Sequence, residues 1–200
     1  MHQVIDLREK AVRLQDVSKV LYACLESRTL LEIISANKLL CSVASSEREE
    51  LRESMRPRHG INKANNQIKG LKLKLQEFGE AIGQSGGFSF PVYSFSESEK
   101  IQDILSQYIH SYTRLEQEMQ FGSNYINTAI SAIDDAIRFA SDNLIYNEFR
   151  GTYILINFEM NSLPNWAKII LNDWKQEGKI KNKEELKLRI KNAVEDSKKV

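Results

Sequence analysis

Residues 101–140 read IQDILSQYIHSYTRLEQEMQFGSNYINTAISAIDDAIRFA. Large and small apolar side chains recur in this stretch by steps of four and three. They are Ile101, Leu105, Tyr108, Tyr112, Leu115 and Met119, then Gly122, then Ile126, Ala129, Ile133, Ala136 and Ala140. On a helix that spacing makes one narrow stripe, and a narrow stripe buries itself against another helix rather than a broad core. Ser96 and Glu99 have the spacing of a capping box, and Gly151 follows the apolar run. The pattern predicts a helix over 96–148, on the order of 75 Å long if Gly122 does not bend or split it.

Outward from this stretch the chain continues to read as helix. Val4, Leu7, Ala11, Leu14, Ser18, Leu21 and Leu25 keep a heptad register, which predicts a helix over 3–26. Thr29 with Glu32 suggests a second start, and Leu30–Ala44 is apolar on most faces, so a helix over 29–55 is expected at the centre of the fold. Arg56-Pro57-Arg58-His59-Gly60 is a break. Ile61, Ala64, Ile68, Leu71, Leu75, Phe78 and Ile82 then predict a helix over 61–82, weakened at Gly70. Residues 83–95, GQSGGFSFPVYSF, form a loop that carries Phe88, Phe90, Tyr93 and Phe95. TYILINF at 152–158 suits a strand by composition, but the only strand-like partner in this reading is 88–95, so helix is the expectation. Ser162-Leu163-Pro164 opens a helix and Gly178 stops it; Asn182 and Glu185 cap the last one.

The expected fold is therefore all-α: an elongated antiparallel bundle or coiled-coil hairpin over 1–160, with a short C-terminal helical pair over 161–200. The stripes at 61–82 and 101–140 are natural partners across the 83–95 loop. Any part of the long stripe left uncovered has to be buried by another subunit.

Composition narrows the class. The 200 residues are 42% hydrophobic and 28% charged, as in an ordinary folded chain. The formal charge of +1 selects no partner, although 101–160 is acidic and 161–200 basic. Cys24 and Cys41 lie in apolar helical patterns and read as free thiols. Asp6, Glu9 and Asp16 interrupt any secretory pattern, and no run approaches the roughly 20 apolar residues that span a bilayer, so the expectation is cytoplasmic.

Groups that converge for catalysis are scarce. There are three histidines, no phosphate-binding glycine loop and no metal-ligand spacing, so the expectation is a non-enzymatic protein with no cofactor. Protein contact is the first reading of function: an assembly or scaffold subunit that meets itself or other chains through Ile101, Leu105, Tyr108, Tyr112, Leu115, Met119, Ile126 and Ile133, with Phe88, Phe90 and Tyr93 as a docking loop. The alternative is an accessory protein that binds nucleic acid. Arg52, Arg56, Arg58, Lys63, Lys69, Lys72 and Lys74 form a run with no acidic residue between Arg56 and Lys74, suited to a phosphate backbone unless it pairs with the acidic helix.

Two short motifs carry resemblances. Arg52 and His59 are spaced as in the R-x(4–6)-H motif of HEPN-type ribonucleases, with Pro57 between them. That resemblance implies a small all-helical dimer in which these two residues serve RNA cleavage. Trp166-x3-Ile170-x3-Trp174 followed by Gly178 resembles the end of the DnaD-like domain of bacterial and phage replication proteins, with Trp166 where that family usually has Tyr. It implies a contribution to DNA binding, together with the Lys-rich residues 181–199.

Overall fold

A computed structural model describes residues 1–55, 70–85, 92–110, 114–156 and 159–198. The chain is mostly helical, with eight α-helices and one two-stranded sheet among the described residues. The helices are α1 (His2–Leu14), α2 (Val17–Cys41), α3 (Arg48–Met55), α4 (Leu71–Gln84), α5 (Phe95–Ile109), α6 (Asn124–Ser141), α7 (Asn165–Lys175) and α8 (Lys183–Ser197). The strands are β1 (Leu144–Asn147) and β2 (Thr152–Leu155).

The chain forms two compact units that exchange segments. One holds Met1–Ser35 with Ser96–Leu155, and the other holds Ala36–Phe95 with Ile156–Val200. The boundary runs through α2. Residues 161–200 therefore share a unit with 36–95.

In the first unit, α1 ends where Gln15 turns left-handed at φ 51°. The Asp16 N–H bonds the Ala11 carbonyl and the Gln15 N–H the Val12 carbonyl, which closes the helix C-terminus. Asp16 then opens α2, its carboxylate accepting from the Lys19 N–H at 3.3 Å and the Lys19 ammonium at 2.7 Å. The expected helix over 3–26 is thus two helices, and Thr29 lies inside α2, donating to the Leu25 carbonyl instead of capping. α1 packs on α6. Val4 and Ala11 are buried on one side, and Ile126, Ala129, Ile133, Ala136 and Ala140 on the other. Arg8 grips Asp134 with two parallel bonds of 2.8 Å at the same contact.

The long helix expected over 96–148 is interrupted. α5 stops at Ile109, and turns occupy 115–122. Gly122 sits at φ 89°, and the Ser123 hydroxyl accepts from the Ile126 N–H to start α6. The Leu115 N–H bonds the Glu118 carboxylate and the Ser123 hydroxyl donates to the Glu118 carbonyl. These local bonds offer the backbone an alternative to the helical ladder. After α6 the chain does not run on as helix: Asn143 folds back, its amide donating to the Phe139 carbonyl at 2.9 Å.

Residues 144–155 are a β-hairpin, which corrects the helical expectation for 144–148 and for 152–156; residues 157 and 158 lie outside the described residues. Leu144 pairs with Leu155, Ile145 with Ile154, Tyr146 with Tyr153 and Asn147 with Thr152. The Arg150 N–H bonds the Asn147 carbonyl, and Gly151 at φ 60° completes the turn. The strand partner of 152–155 is thus LIYN just before the turn, not 88–95.

In the second unit, α2 ends where the Ser42 hydroxyl and N–H both bond the Leu39 carbonyl. The helix expected over 29–55 is broken there, and a 3-10 turn at Ser45–Glu47 leads into α3. Gly70, expected inside a helix, is left-handed at φ 71° and precedes α4. α4, α7 and α8 pack on one another in all three pairings. Phe78, Ile82, Leu171, Leu186 and Ile190 fill the middle. The stripes expected to pair, 61–82 and 101–140, thus belong to different units: described α4 packs on α7 and α8, and α6 packs on α1.

Candidate functional site

The structure sends most of the expected contact residues inward. Ile126 and Ile133 are wholly buried, Leu105 and Tyr108 are buried, and Ile101 and Met119 are half-buried. Among those described, only Leu115 stands out, at 69% exposure. Tyr108 lies 4.7 Å from the Tyr125 ring, and Arg114 stacks over the other tyrosine at 4.8 Å. Burial, then the neighbouring Tyr125, pushes the Tyr108 hydroxyl above its ordinary pKa. Tyr112, Phe88 and Phe90 lie outside the described residues. Tyr93 is buried against Phe95, 4.8 Å between rings.

The basic run is used locally where it is described. Arg52 pairs with Glu49 one helical turn away. Lys74 donates to the Lys175 carbonyl at 3.0 Å and stands over the Trp174 ring, while the Trp174 indole donates to the Lys74 carbonyl at 3.0 Å. Its partner is therefore the end of α7, not the acidic 101–148 segment. Lys72 is half-buried on α4. Arg56, Arg58, His59, Lys63 and Lys69 lie outside the described residues. In the tryptophan element, Ile170 and Trp174 are buried and Trp166 half-buried, so these side chains anchor α7 in its unit.

Among the described residues, one charged side chain is buried: Lys38, at 6% exposure. It donates to the Ile156 carbonyl at 2.5 Å and lies over the Tyr93 ring at 5.3 Å. Burial pushes its ammonium down to about 8, against a small opposing effect of Cys41. A second lysine, Lys175, borders a cleft of about 420 Å³ with Glu47, Glu50 and Asn172. Its ammonium is held by the Ser42 carbonyl at 3.0 Å and is also pushed down by burial. Among the described residues no three His, Cys, Asp or Glu side chains gather as metal ligands. No helix among them is long and apolar enough to cross a membrane. Cys24 and Cys41 are thiols, and burial pushes the Cys24 thiol up to about 12.

One patch of exposed apolar surface lies on the hairpin; others, such as Leu73, Ile169 and Leu188, lie singly on helices of the second unit. The hairpin's antiparallel register puts Tyr146 and Tyr153 on one face and Ile145 and Ile154 on the other. The tyrosine face is covered: the His2 ring sits 5.2 Å from Tyr146 and 4.9 Å from Tyr153, and the two tyrosines stack at 5.1 Å. The isoleucine face is open, with Ile145 58% and Ile154 45% exposed, and Phe149 at the tip is fully exposed. A second exposed line, Tyr22, Leu25 and Ile33, runs along α2 in the same unit. The hairpin is hidden in the sequence because LIYN falls within the helix expected over 96–148. Two runs of β-branched and aromatic residues around a short turn ending in Gly151 were the available signal. No protein-family model matches this chain, and comparison with curated proteins and with solved structures finds no match.

Proposed function

We propose that this chain is a non-enzymatic assembly subunit that works through protein contact, and that the open face of the 144–155 hairpin is its contact surface. The observation that carries this reading is the pairing of Ile145 with Ile154, both exposed, beside a fully exposed Phe149. A two-stranded hairpin is marginal in water and needs packing to persist. Here His2 packs one face only, so the apolar side chains on the other face are a cost unless a partner covers them.

A nucleic-acid-binding role has one observation in its favour. Lys187, Lys191 and Lys198 line a groove of about 450 Å³ between α4 and α8. Glu184 and Glu195 line it too and pair with Lys187 and Lys191, which reduces its pull on phosphate.

The test is recovery of the tagged full chain from its native host, with and without nuclease, beside the Phe149→Ser variant. A stoichiometric protein partner that survives nuclease and is lost from the variant supports the contact reading. Equal recovery with the variant removes the hairpin from it. A partner released by nuclease transfers the role to the basic groove.

A further inference from the structure

We infer that Lys175 is a carbonyl-binding amine, which forms an imine with a neutral aldehyde held in the cleft at the end of α7. This goes beyond the contact reading: the cleft belongs to the second unit and the hairpin to the first.

An amine captures a carbonyl where its nitrogen has room for the electrophile and is available unprotonated. The cleft supplies the room. It measures about 420 Å³, with Val43, Glu47, Glu50 and Leu51 from the α2–α3 segment on its walls and Asn172 and Lys175 from α7. The Lys175 nitrogen lies at the α2 wall, because it donates to the Ser42 carbonyl at 3.0 Å, one residue before Val43. It also feels the charge of Glu47, another lining residue.

Availability follows from burial. Lys175 is half-buried, and loss of solvent pushes its ammonium down against the opposing effect of Glu47. The bond to Ser42 does not hold the proton in place. A neutral amine also has N–H groups, and donates one while keeping its lone pair. Lys38 is the contrast. Its nitrogen is pushed down too, but it is 6% exposed and lies between the Ile156 carbonyl and the Tyr93 ring, which leaves an aldehyde no approach.

The lining selects the ligand. Glu47 and Glu50 are the other charged groups of the cleft, so an anionic aldehyde is repelled. Val43 and Leu51 are buried and give a carbon body an apolar floor. The step needs no oxidant or reductant. The amine lone pair forms the C–N bond while the carbonyl π pair moves to oxygen, and a proton passes from nitrogen to that oxygen. Loss of the second N–H proton and of the hydroxyl, as water, then leaves the C=N bond. Glu50 is exposed, has no ion pair among the described residues, and is the carboxylate of the cleft suited to carry these protons.

The test treats the folded full chain near pH 7 with benzaldehyde and sodium cyanoborohydride, whose hydride fixes the imine as a benzylamine. Peptide mass spectrometry then reads each lysine. Every unit by which burial lowers a lysine's pKa raises its neutral fraction about tenfold. Lys175 should therefore label at least about five-fold faster than the exposed Lys179 and Lys191, and Lys38 should stay unlabelled. In denaturing urea the lysines should label alike. Asn172→Trp and Gln176→Trp, both at exposed lining positions, should bring Lys175 down to the rate of the exposed lysines with circular dichroism unchanged. 4-Carboxybenzaldehyde, the same ring with an anionic group, should lose the preference for Lys175. A folded parent in which Lys175 labels no faster than Lys179 and Lys191, or tryptophan variants that label like the parent, overturns the site. An equal preference for the anionic probe overturns the neutral ligand.

Discussion

Lys38 gives this protein an alkaline stability signature. In the folded chain its ammonium is buried, with its proton lost near 8, whereas the unfolded chain holds it to 10.5. Below pH 8 both states are protonated and folding bears the full cost of burying the charge, about 3 kcal/mol. Between 8 and 10.5 the unfolded chain binds a proton that the folded chain has released, so stability rises with pH. From pH 7 to pH 9 the gain worked from these two values is about 1.3 kcal/mol. The titratable groups against Lys38 are Cys41 on its own helix and the Tyr93 ring. Both tryptophans, Trp166 and Trp174, lie in the unit that holds Lys38, so urea unfolding followed by tryptophan fluorescence reads this unit. Lys175 is in the same unit and shifts in the same direction, so the parent must be compared with Lys38→Met. The variant frees the Ile156 carbonyl, at about 1–3 kcal/mol, and removes the buried charge, so its stability at pH 7 changes little. Its gain between pH 7 and 9 should be smaller than the parent's by about 1 kcal/mol, roughly 0.5–1 M in the urea midpoint. Equal gains in the two proteins would refute the claim that this lysine is buried and charged at neutral pH.

Three further outcomes are expected. Ile133→Asp places a carboxylate in a wholly buried site and should unfold the first unit, by about 4 kcal/mol or more, with loss of the hairpin's amide protection from hydrogen exchange while tryptophan fluorescence holds. Gln15→Gly relieves a left-handed residue at the end of α1 and should stabilise the first unit by about 1 kcal/mol in hydrogen exchange; a loss would show that the closure depends on the glutamine side chain. Trp174→Phe removes the indole bond to the Lys74 carbonyl and should cost the second unit about 1–3 kcal/mol, read through Trp166 in urea; an unchanged midpoint would remove that bond from the packing of α4 on α7.

The C-terminal helices were legible from local chemistry. Asn182 accepts from the Glu185 N–H at 2.9 Å as its spacing indicated, and α7 begins just after Pro164. The Asn182 cap is made within a few residues, so sequence contains both partners, and Pro164 marks the start of α7 without any capping bond. The contact surface was not legible in the same way. The stripe at 101–140 correctly marks side chains that are buried or partly so at most of its described positions, but periodicity does not say which partner buries them. Nor does it say whether 114–123 is helical; there, side-chain bonds around Glu118 and Ser123 hold turns instead.

What the sequence by itself determined was the helical class, the apolar faces of α1 and α6, the helix start after Pro164 and the cap at Asn182, because each depends on neighbours along the chain. What tertiary structure decided was the rest. It placed α6 on α1 and α4 on α7 and α8, assigning the two stripes to different units. It made 144–155 a hairpin, because a strand exists only where another strand meets its hydrogen-bonding groups and a neighbour covers one face. And it buried Ile126 and Ile133 while leaving Ile145, Phe149 and Ile154 in water, a choice that hydrophobicity alone, equal in all of these side chains' favour, does not make.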